Sequence, residues 1–212
     1  MRLCGRRVII REMRRDDIDA MMRWRPSADP VYQPFDFPKR SQTEHYAWFS
    51  DRARDPARLL CTVESCSGQV IGSLTLREMV CPQSARLGIT LGADHLSQGL
   101  GTEALRLFLD HYFERMGFAR LDLDVATTNL RAIRCYLSLG FRETSRHWEI
   151  ACHPSYRALA LEAQYRHFRG CFRRQGTALE VQFLDMALTK ADWRQRTADA
   201  GTDTRSPQPF VA

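Results

Sequence analysis

The chain has 212 residues, of which 44% are apolar and 26% charged, and its formal net charge is +6. This composition is ordinary for one globular domain. The chain has no run of 18 apolar residues, so no transmembrane helix is predicted. The basic N-terminal segment lacks the apolar core and the cleavage site of a secretory signal. Seven dispersed cysteines without C-x-x-C spacing predict reduced thiols, so we expect a cytoplasmic protein with no metal and no membrane partner.

Hydrophobic periodicity and turn residues divide the chain into short elements. In chain order they are a strand over 7–13, helices over 14–25 and 41–55, strands over 58–65, 69–80 and 85–92, a helix over 101–117, a strand over 120–129, a helix over 130–140, and strands over 141–150 and 177–189. Asp16 or Asp17 can cap the first helix, and Ser41 with Glu44 forms a capping box at the second. The helix that ends at Gly117 has the most regular apolar spacing.

This order of elements predicts an α/β (α+β) fold around a mixed sheet. Successive strands in the first half can pair as antiparallel hairpins, whereas the β-α-β step through residues 100–125 requires a parallel pair. We expect residues 1–196 to form a single domain with an arginine-rich insert at 151–178. The polar tail over 197–212 is predicted to be disordered.

A glycine loop precedes the most regular helix. The sequence from Gly99 to Ala104 reads G-x-G-x-x-A, which is a variant of the dinucleotide-binding fingerprint, and Asp122 or Asp124 follows near the expected spacing. However, residues 93–98 separate the loop from the preceding strand, and too few βαβ units follow for a nicotinamide-binding domain. Two glycines at a helix start still favour a phosphate group, with a tight turn that binds nothing as the alternative.

Two blocks of sequence carry a family resemblance. They are "LGITLGADHLSQGLGTEALRLFLDHYF" and "NLRAIRCYLSLGF", separated by the strand "LDLDV", and they resemble the GNAT superfamily of acetyl-CoA-dependent N-acetyltransferases. With the terminal "FLDMALTKADW", the chain looks most like the branch that acetylates ribosomal-protein N-terminal alanine and serine. The resemblance implies a mostly antiparallel sheet with helices on both faces. It also implies metal-independent transfer of an acetyl group from acetyl-CoA to a primary amine, by direct attack in a ternary complex.

The resemblance also assigns roles to residues. Backbone amides of the glycine loop would hold the pyrophosphate of coenzyme A, and the strand at 88–91 would pair with the pantetheine arm and splay from the strand at 121–125. Asn129 would hold the pantetheine or the amine, and Tyr136 would protonate the departing thiolate, although a buried core tyrosine is the alternative. The implied cofactor contacts are Ile89, Thr90, Leu91, Gln98, Gly99, Leu100, Gly101, Thr102, Asn129 and Arg134.

Two positions depart from the family pattern. Leu96 stands where relatives usually have arginine or glutamine, so a side-chain contact is either missing or replaced by Gln98. Arg86 stands where many relatives have a glutamate that serves as the general base. The base could then be Asp94, His95 or Glu149 or act through a water relay, or the enzyme could be weak. These departures leave open a catalytically idle acyl-CoA-binding or regulatory module.

The insert concentrates the positive charge of the chain. Five arginines and one glutamate give residues 151–178 a charge of +4 and leave +2 for all other residues. Such local charge argues against general nucleic-acid binding. The insert contains a predicted helix over 154–168, with three interpretations: a peripheral helix, a lid or docking surface for an acidic partner, or a homodimer contact. The acceptor could be a protein N-terminus or a small amine such as a polyamine or an aminoglycoside.

Overall fold

The computed structural model describes residues 1–202, and over this range nine strands form one sheet with six α-helices around it. The strands are β1 (Arg2–Cys4), β2 (Val8–Glu12), β3 (Leu59–Ser65), β4 (Val70–Val80), β5 (Ser84–Leu91), β6 (Arg120–Ala126), β7 (Arg142–Ile150), β8 (Phe172–Gln175) and β9 (Ala178–Thr189). The helices are α1 (Arg15–Met22), α2 (Gln42–Ala53), α3 (Leu100–Asp110), α4 (Leu130–Leu139), α5 (Pro154–Leu161) and α6 (Lys190–Thr202).

The sheet is mixed and mostly antiparallel, as predicted. Its strand order is β1-β2-β3-β4-β5-β6-β9-β7, and β8 pairs with the first part of β9. The pair of β5 and β6 is parallel, and every other pair is antiparallel. Helix α3 makes the connection between the two parallel strands, as a βαβ step requires. The sheet therefore has parallel pairing at one place only, between β5 and β6.

Helices cover both faces of the sheet. Residues of α3 and α4, including Phe108 and Tyr136, belong to the main apolar cluster with the sheet. On the opposite face, Ile18 and Met21 of α1 pack in a separate cluster with Trp48 of α2. The predicted capping box of α2 is present, because the Ser41 hydroxyl accepts from the Glu44 amide and the Glu44 carboxylate accepts from the Ser41 amide. Burial of both sheet faces holds the helices in place.

Three elements of the structure were not predicted from the sequence. Strand β1 has three residues, β8 lies inside the insert, and α6 extends through residues predicted to be a disordered tail. Helix α6 is polar and lacks apolar periodicity, but the Thr189 hydroxyl accepts from the Asp192 amide at its start. Trp193, which is 2% exposed, anchors the helix to the core. Helix α6 thus reaches Thr202, inside the predicted tail, and residues 203–212 of that tail lie outside the described range.

The insert is also more irregular than predicted. Helix α5 ends at Leu161, and Glu162 is extended before a 3-10 segment runs over Ala163–Cys171. Strand β8 then pairs with β9. The predicted single helix over 154–168 is thus two helical segments. Within residues 1–202, none of the helices is long and apolar enough to cross a bilayer.

Candidate functional site

A cleft opens where β5 and β6 separate. The two strands pair only from Ser84–Arg86 to Arg120–Asp122, so the edge of β5 that faces β6 has no partner strand beyond Arg86. This is the predicted splay. Two cavities meet in the cleft: a loop-side cavity of about 350 Å³ beside the glycine loop and α4, and a strand-side cavity of about 410 Å³ beside α2 and β4. Both are lined by Phe35, Asp36, Ile89, Thr90, Asn129 and Tyr136.

The glycine loop presents free backbone donors to the loop-side cavity. Gly99 (φ +75°) and Ser97 (φ +60°) adopt left-handed conformations, and Gly99 is the N-cap of α3 without any side-chain cap. The first-turn amides of Leu100, Gly101 and Thr102 therefore have no partner within the helix. Together with the helix dipole, these amides form a site that favours an anion such as pyrophosphate.

An arginine from the β1–β2 turn braces this loop. The backbone amide and Nε of Arg7 donate to the Glu103 carboxylate at 2.6 and 2.8 Å, and its Nη1 donates to the Gln98 carbonyl at 2.9 Å. The Gln98 side chain turns away to the Asp94 carbonyl and does not line the cavity, whereas Leu96 does. The cationic side chain nearest the glycine turn is thus Arg7, which loop spacing could not indicate because it lies 92 residues upstream of Gly99.

Helix α4 places the predicted asparagine and tyrosine between the two cavities. Asn129 is the N-cap, and its Oδ1 accepts from the Ala132 amide at 3.3 Å. Tyr136 is 7% exposed, and its hydroxyl has no hydrogen-bond partner among the described residues. Burial, with smaller effects from Cys135 and Asp124, raises the pKa of Tyr136 well above its usual value. The phenol is therefore protonated at physiological pH and free to donate.

The structure brings ten of the eleven predicted site residues together, Gln98 being the exception. They all line the loop-side cavity: Ile89, Thr90, Leu91, Gly99, Leu100, Gly101, Thr102, Asn129, Arg134 and Tyr136. Arg134 is exposed at its rim. Ala132 also lines this cavity one helical turn before Tyr136, and its small side chain leaves the space open. The residues fit a long ligand with an anionic end at the glycine loop.

The strand-side cavity is aromatic. Phe35, Phe37, Trp48 and Phe183 line it, together with hydroxyl groups such as that of Thr75. The first three come from the proline-rich loop over 26–38 and from α2, and the fourth comes from β9. The prolines of that loop predict only a connection between two helices and give no signal for a site. The structure shows that it supplies one wall of the cleft.

Arg86, at the position where a glutamate was expected, is part of an ion-pair cluster. Its Nη1 donates to Asp124 Oδ1 at 2.8 Å, and Arg77 Nη2 donates to the same oxygen at 2.6 Å. The hydrogen bond that Arg86 donates to Asp124 raises the pKa of Arg86, although burial opposes it. Arg86 is therefore a permanent cation and cannot act as a base. The pair connects β5 to β6 at the point where they separate.

The three predicted alternatives for the base lie away from the strand-side cavity. Asp94 lines neither cavity, and His95 lines only the loop-side cavity. Glu149 also lines neither cavity, and its carboxylate is 3.2 Å from His147 Nε2. None of them faces the strand-side cavity directly.

A different histidine does line the strand-side cavity. His45 of α2 is 3% exposed and stacks on Phe37 with ring centroids 4.6 Å apart. Its Nε2 lies 3.0 Å from the Pro38 carbonyl. A carbonyl can only accept, so Nε2 carries the proton and Nδ1 of the neutral ring is an acceptor. The sequence carries no signal that places His45 at a site, because a lone histidine in a helix has many ordinary uses.

Comparison with known proteins gives the following matches. Residues 7–142, more than half of the chain, match the family model described as acetyltransferase (GNAT) domain. An uncharacterised protein of Methanocaldococcus jannaschii is 23% identical over 144 residues, which cover 66% of this chain and 29% of that protein. The ribosomal protein bS18-alanine N-acetyltransferase of Escherichia coli is 32% identical over 75 residues, which cover 35% of this chain and 50% of that enzyme. The chain thus spans half or less of the length of these relatives.

Solved structures share the architecture. The crystal structure of spermidine N-acetyltransferase from Vibrio cholerae in complex with CoA and spermine has a TM-score of 0.66 and 19% identity, and the match covers 89% of this chain and 98% of that chain. At this identity the likeness concerns the fold alone. Within residues 1–202, no group of three or more His, Cys, Asp or Glu side chains is placed to hold a metal ion.

Proposed function

Because the chain belongs to the GNAT acetyltransferase family, we propose that it transfers an acetyl group from acetyl-CoA to a primary amine by direct attack. One observation carries the proposal: free glycine-loop amides, an unpaired edge of β5 and the buried Tyr136 hydroxyl border one cleft. The cleft has room for a donor on the loop side and an acceptor on the strand side. A covalent enzyme intermediate is not required, since the amine can reach the thioester itself.

The loop-side cavity suits the donor. Acetyl-CoA supplies a thioester with an electrophilic carbonyl carbon and a thiolate leaving group. The amides of Leu100, Gly101 and Thr102 would bind its pyrophosphate, and Arg134 lies at the rim where a further phosphate can be reached. Backbone donors along Ile89–Leu91 would extend pairing to the pantetheine arm and polarise the carbonyl.

His45 is the proposed general base. An amine attacks only after its ammonium loses a proton, and a base that acts near neutral pH is the most effective. The two carboxylates of the strand-side cavity are already engaged, Asp36 by the amide and hydroxyl of Ser27 and Asp124 by two arginines. His45 Nδ1 has no such partner among the described residues, so it can accept the proton directly or through a water.

Tyr136 is the proposed general acid. As the carbon–sulfur bond breaks and the carbon–nitrogen bond forms, the sulfur gains negative charge. The protonated Tyr136 hydroxyl can donate to it, so that the sulfur leaves as a thiol, and the second proton that the attached nitrogen loses restores the phenol through solvent. Because burial raises the pKa of the phenol, the phenol keeps its proton in the resting enzyme. The negative charge that develops on the neighbouring sulfur then favours transfer of that proton. Asn129 lies between donor and acceptor and would orient one of them.

The charge around the strand-side cavity favours some acceptors over others. The structurally similar Vibrio cholerae enzyme is named for spermidine. Here, however, Asp36 already accepts from Ser27 and Asp124 accepts from two arginines, so neither carboxylate of the strand-side cavity is free to bind the further amines of a polycation. A single amine on a partly apolar body, such as a protein N-terminus, fits this aromatic cavity better than a polyamine does. The relative named for bS18 alanine supports the same choice.

Thiol release tests the proposal. Purified protein with acetyl-CoA is assayed against N-terminal peptides, spermidine and kanamycin, and acetyl-CoA binding is measured separately by calorimetry. We expect amine-dependent thiol release with at least one acceptor and fastest release with a peptide. If acetyl-CoA binds but no amine causes thiol release, the result would instead support a catalytically idle module. Arg86, in the position of the expected glutamate, is the reason for that alternative.

A further inference from the structure

The arginine-rich insert is attached to the wall of the strand-side cavity. Tyr156, Leu159 and Phe168 of the insert form an apolar cluster that also includes Phe35, Ala126 and Phe183. The last three residues line the strand-side cavity as well. The Ser155 hydroxyl also donates to Gln33 Oε1 of the proline-rich loop at 2.5 Å. The insert is therefore not a detached appendage, and its surface adjoins the acceptor side of the cleft.

Four arginines of the insert are exposed and have no ion-pair partner among the described residues. They are Arg157, Arg166, Arg169 and Arg174. None of these side chains makes an ion pair or hydrogen bond with a residue in the described range. We call them the arginine surface. Arg173 differs, because its Nε donates to Glu180 and its guanidinium lies 4.5 Å above the Trp148 ring. Long cationic side chains without partners favour an anionic ligand over a structural role.

The strand-side cavity has an exposed arginine of its own. Arg40 lines the strand-side cavity, is exposed and has no ion-pair partner among the described residues. The single acid of the insert, Glu162, accepts a hydrogen bond from Gln164 and neutralises none of the arginine surface. An acceptor that extends from the cavity past Arg40 and over the insert would meet the arginine surface, because the insert packs on the same wall.

We propose that the acceptor is a polypeptide in which acidic residues closely follow the acetylated amine, and that the arginine surface with Arg40 binds them. This inference rests on the proposed acetyltransferase function. An acidic polypeptide fits better than RNA, because the insert's Tyr156 and Phe168 are buried in the apolar cluster and form no platform on which bases could stack. The arginine surface thereby adds acceptor selectivity that the aromatic cavity alone does not supply.

Matched peptides test this proposal. Three peptides share an Ala-Gly N-terminus and continue with four glutamates, four glutamines or four lysines. With wild-type protein we expect kcat/KM to be highest for the glutamate peptide, at least about tenfold above the lysine peptide, and to fall with added salt. In Arg166→Glu/Arg169→Glu, this preference is lost or reversed. Arg54→Glu/Arg115→Glu is the control, since it makes the same change in charge at exposed positions outside the insert and the cavities.

A binding measurement keeps the test independent of turnover. Fluorescence anisotropy follows the labelled glutamate peptide on protein saturated with acetyl-CoA, and oligouridine RNA serves as a competitor. We expect the peptide to bind wild type and the control variant but not Arg166→Glu/Arg169→Glu. Equal binding by all three proteins, preference for the lysine peptide, or binding of RNA without binding of the acidic peptide would each overturn the inference. Thiol release with spermidine or kanamycin alone would overturn it too, while leaving acetyl transfer intact.

Discussion

At the residue scale, the proposed chemistry depends on two side chains in different environments. Tyr136 is held protonated by burial, and His45 is held in one tautomer by the Pro38 carbonyl. Tyr136 lines both cavities, and His45 lines the strand-side cavity. Such a division lets one cleft contain an acid and a base at the same pH.

Removal of the Tyr136 hydroxyl tests the acid. In Tyr136→Phe we expect kcat to fall by about 100-fold, because general acid catalysis of this kind contributes at least that much, while the Kd for acetyl-CoA is unchanged. Steady-state thiol release and calorimetry measure the two quantities. Tyr46→Phe is the control, since Tyr46 lies outside both cavities and donates to Asp19. Unchanged turnover in Tyr136→Phe would show that the sulfur takes its proton from another group.

His45→Gln tests the base. The glutamine amide can still donate to the Pro38 carbonyl but cannot take a proton, so we expect kcat/KM to fall about 100-fold. Binding of acetyl-CoA should be unchanged in His45→Gln, whereas a structural defect would weaken it as well. His111→Gln, outside both cavities, is the control. If kcat/KM is unchanged in His45→Gln, another group removes the proton.

At the element scale, the glycine loop depends on a strand far away in sequence. Arg7 joins the β1–β2 turn to the loop and to the first turn of α3. These contacts also lower the pKa of Glu103, where hydrogen bonds from Arg7 outweigh the effect of burial. The charged pair therefore persists at neutral pH and holds the loop amides in a fixed direction.

Loss of this brace should weaken donor binding. In Arg7→Ala we expect the Kd for acetyl-CoA to rise about fivefold to tenfold, because about 1 kcal/mol of loop orientation is lost, while kcat with saturating acetyl-CoA changes little. Arg6→Ala removes a neighbouring arginine whose side chain has no ion pair among the described residues. Calorimetry on both variants measures the difference. Equal affinity in the two variants would show that the loop is held by its own backbone.

At the scale of the whole molecule, a buried ion cluster joins α1 to the sheet. Arg11 of β2 donates to both oxygens of Asp17 at 2.7 Å and also to Glu64 of β3. Burial alone would raise the pKa of Asp17, but hydrogen bonds from Arg11, the Arg14 amide and Thr62 lower it below its ordinary value. The carboxylate therefore stabilises the fold above its unfolded pKa, and this stabilisation is lost as pH falls through the lowered value.

Asp17→Asn should show this dependence. At pH 7 we expect it to lose about 3 kcal/mol of unfolding free energy, because Arg11 keeps its charge and loses a buried partner. The difference from wild type should shrink as pH falls from about 4, near the unfolded-state pKa, through the lower folded-state pKa, where the native carboxylate becomes protonated. Urea unfolding at several pH values measures it. A difference that is constant with pH would mean that packing, not charge, sets the loss.

Regular features of the chain were predictable from sequence, and contacts between distant segments were not. The apolar spacing of α3, the capping box at Ser41 and the glycine motif each lie within one short window, and the structure confirms them. His45 and Arg7 acquire their positions only through packing of α2 and of the β1–β2 turn. The helix α6 was missed because its anchor is a single Trp193 in an otherwise polar segment.

The most direct test of the account is the stoichiometry of transfer. Wild-type protein is incubated with isotope-labelled acetyl-CoA and an N-terminal peptide, and mass spectrometry counts acetylated amines while a thiol reagent counts released CoA. We predict one labelled acetyl-amine for each thiol, with both products falling together by about 100-fold in Tyr136→Phe. Bound acetyl-CoA with no labelled amine on any acceptor, or thiol release without amine acetylation, would contradict the account.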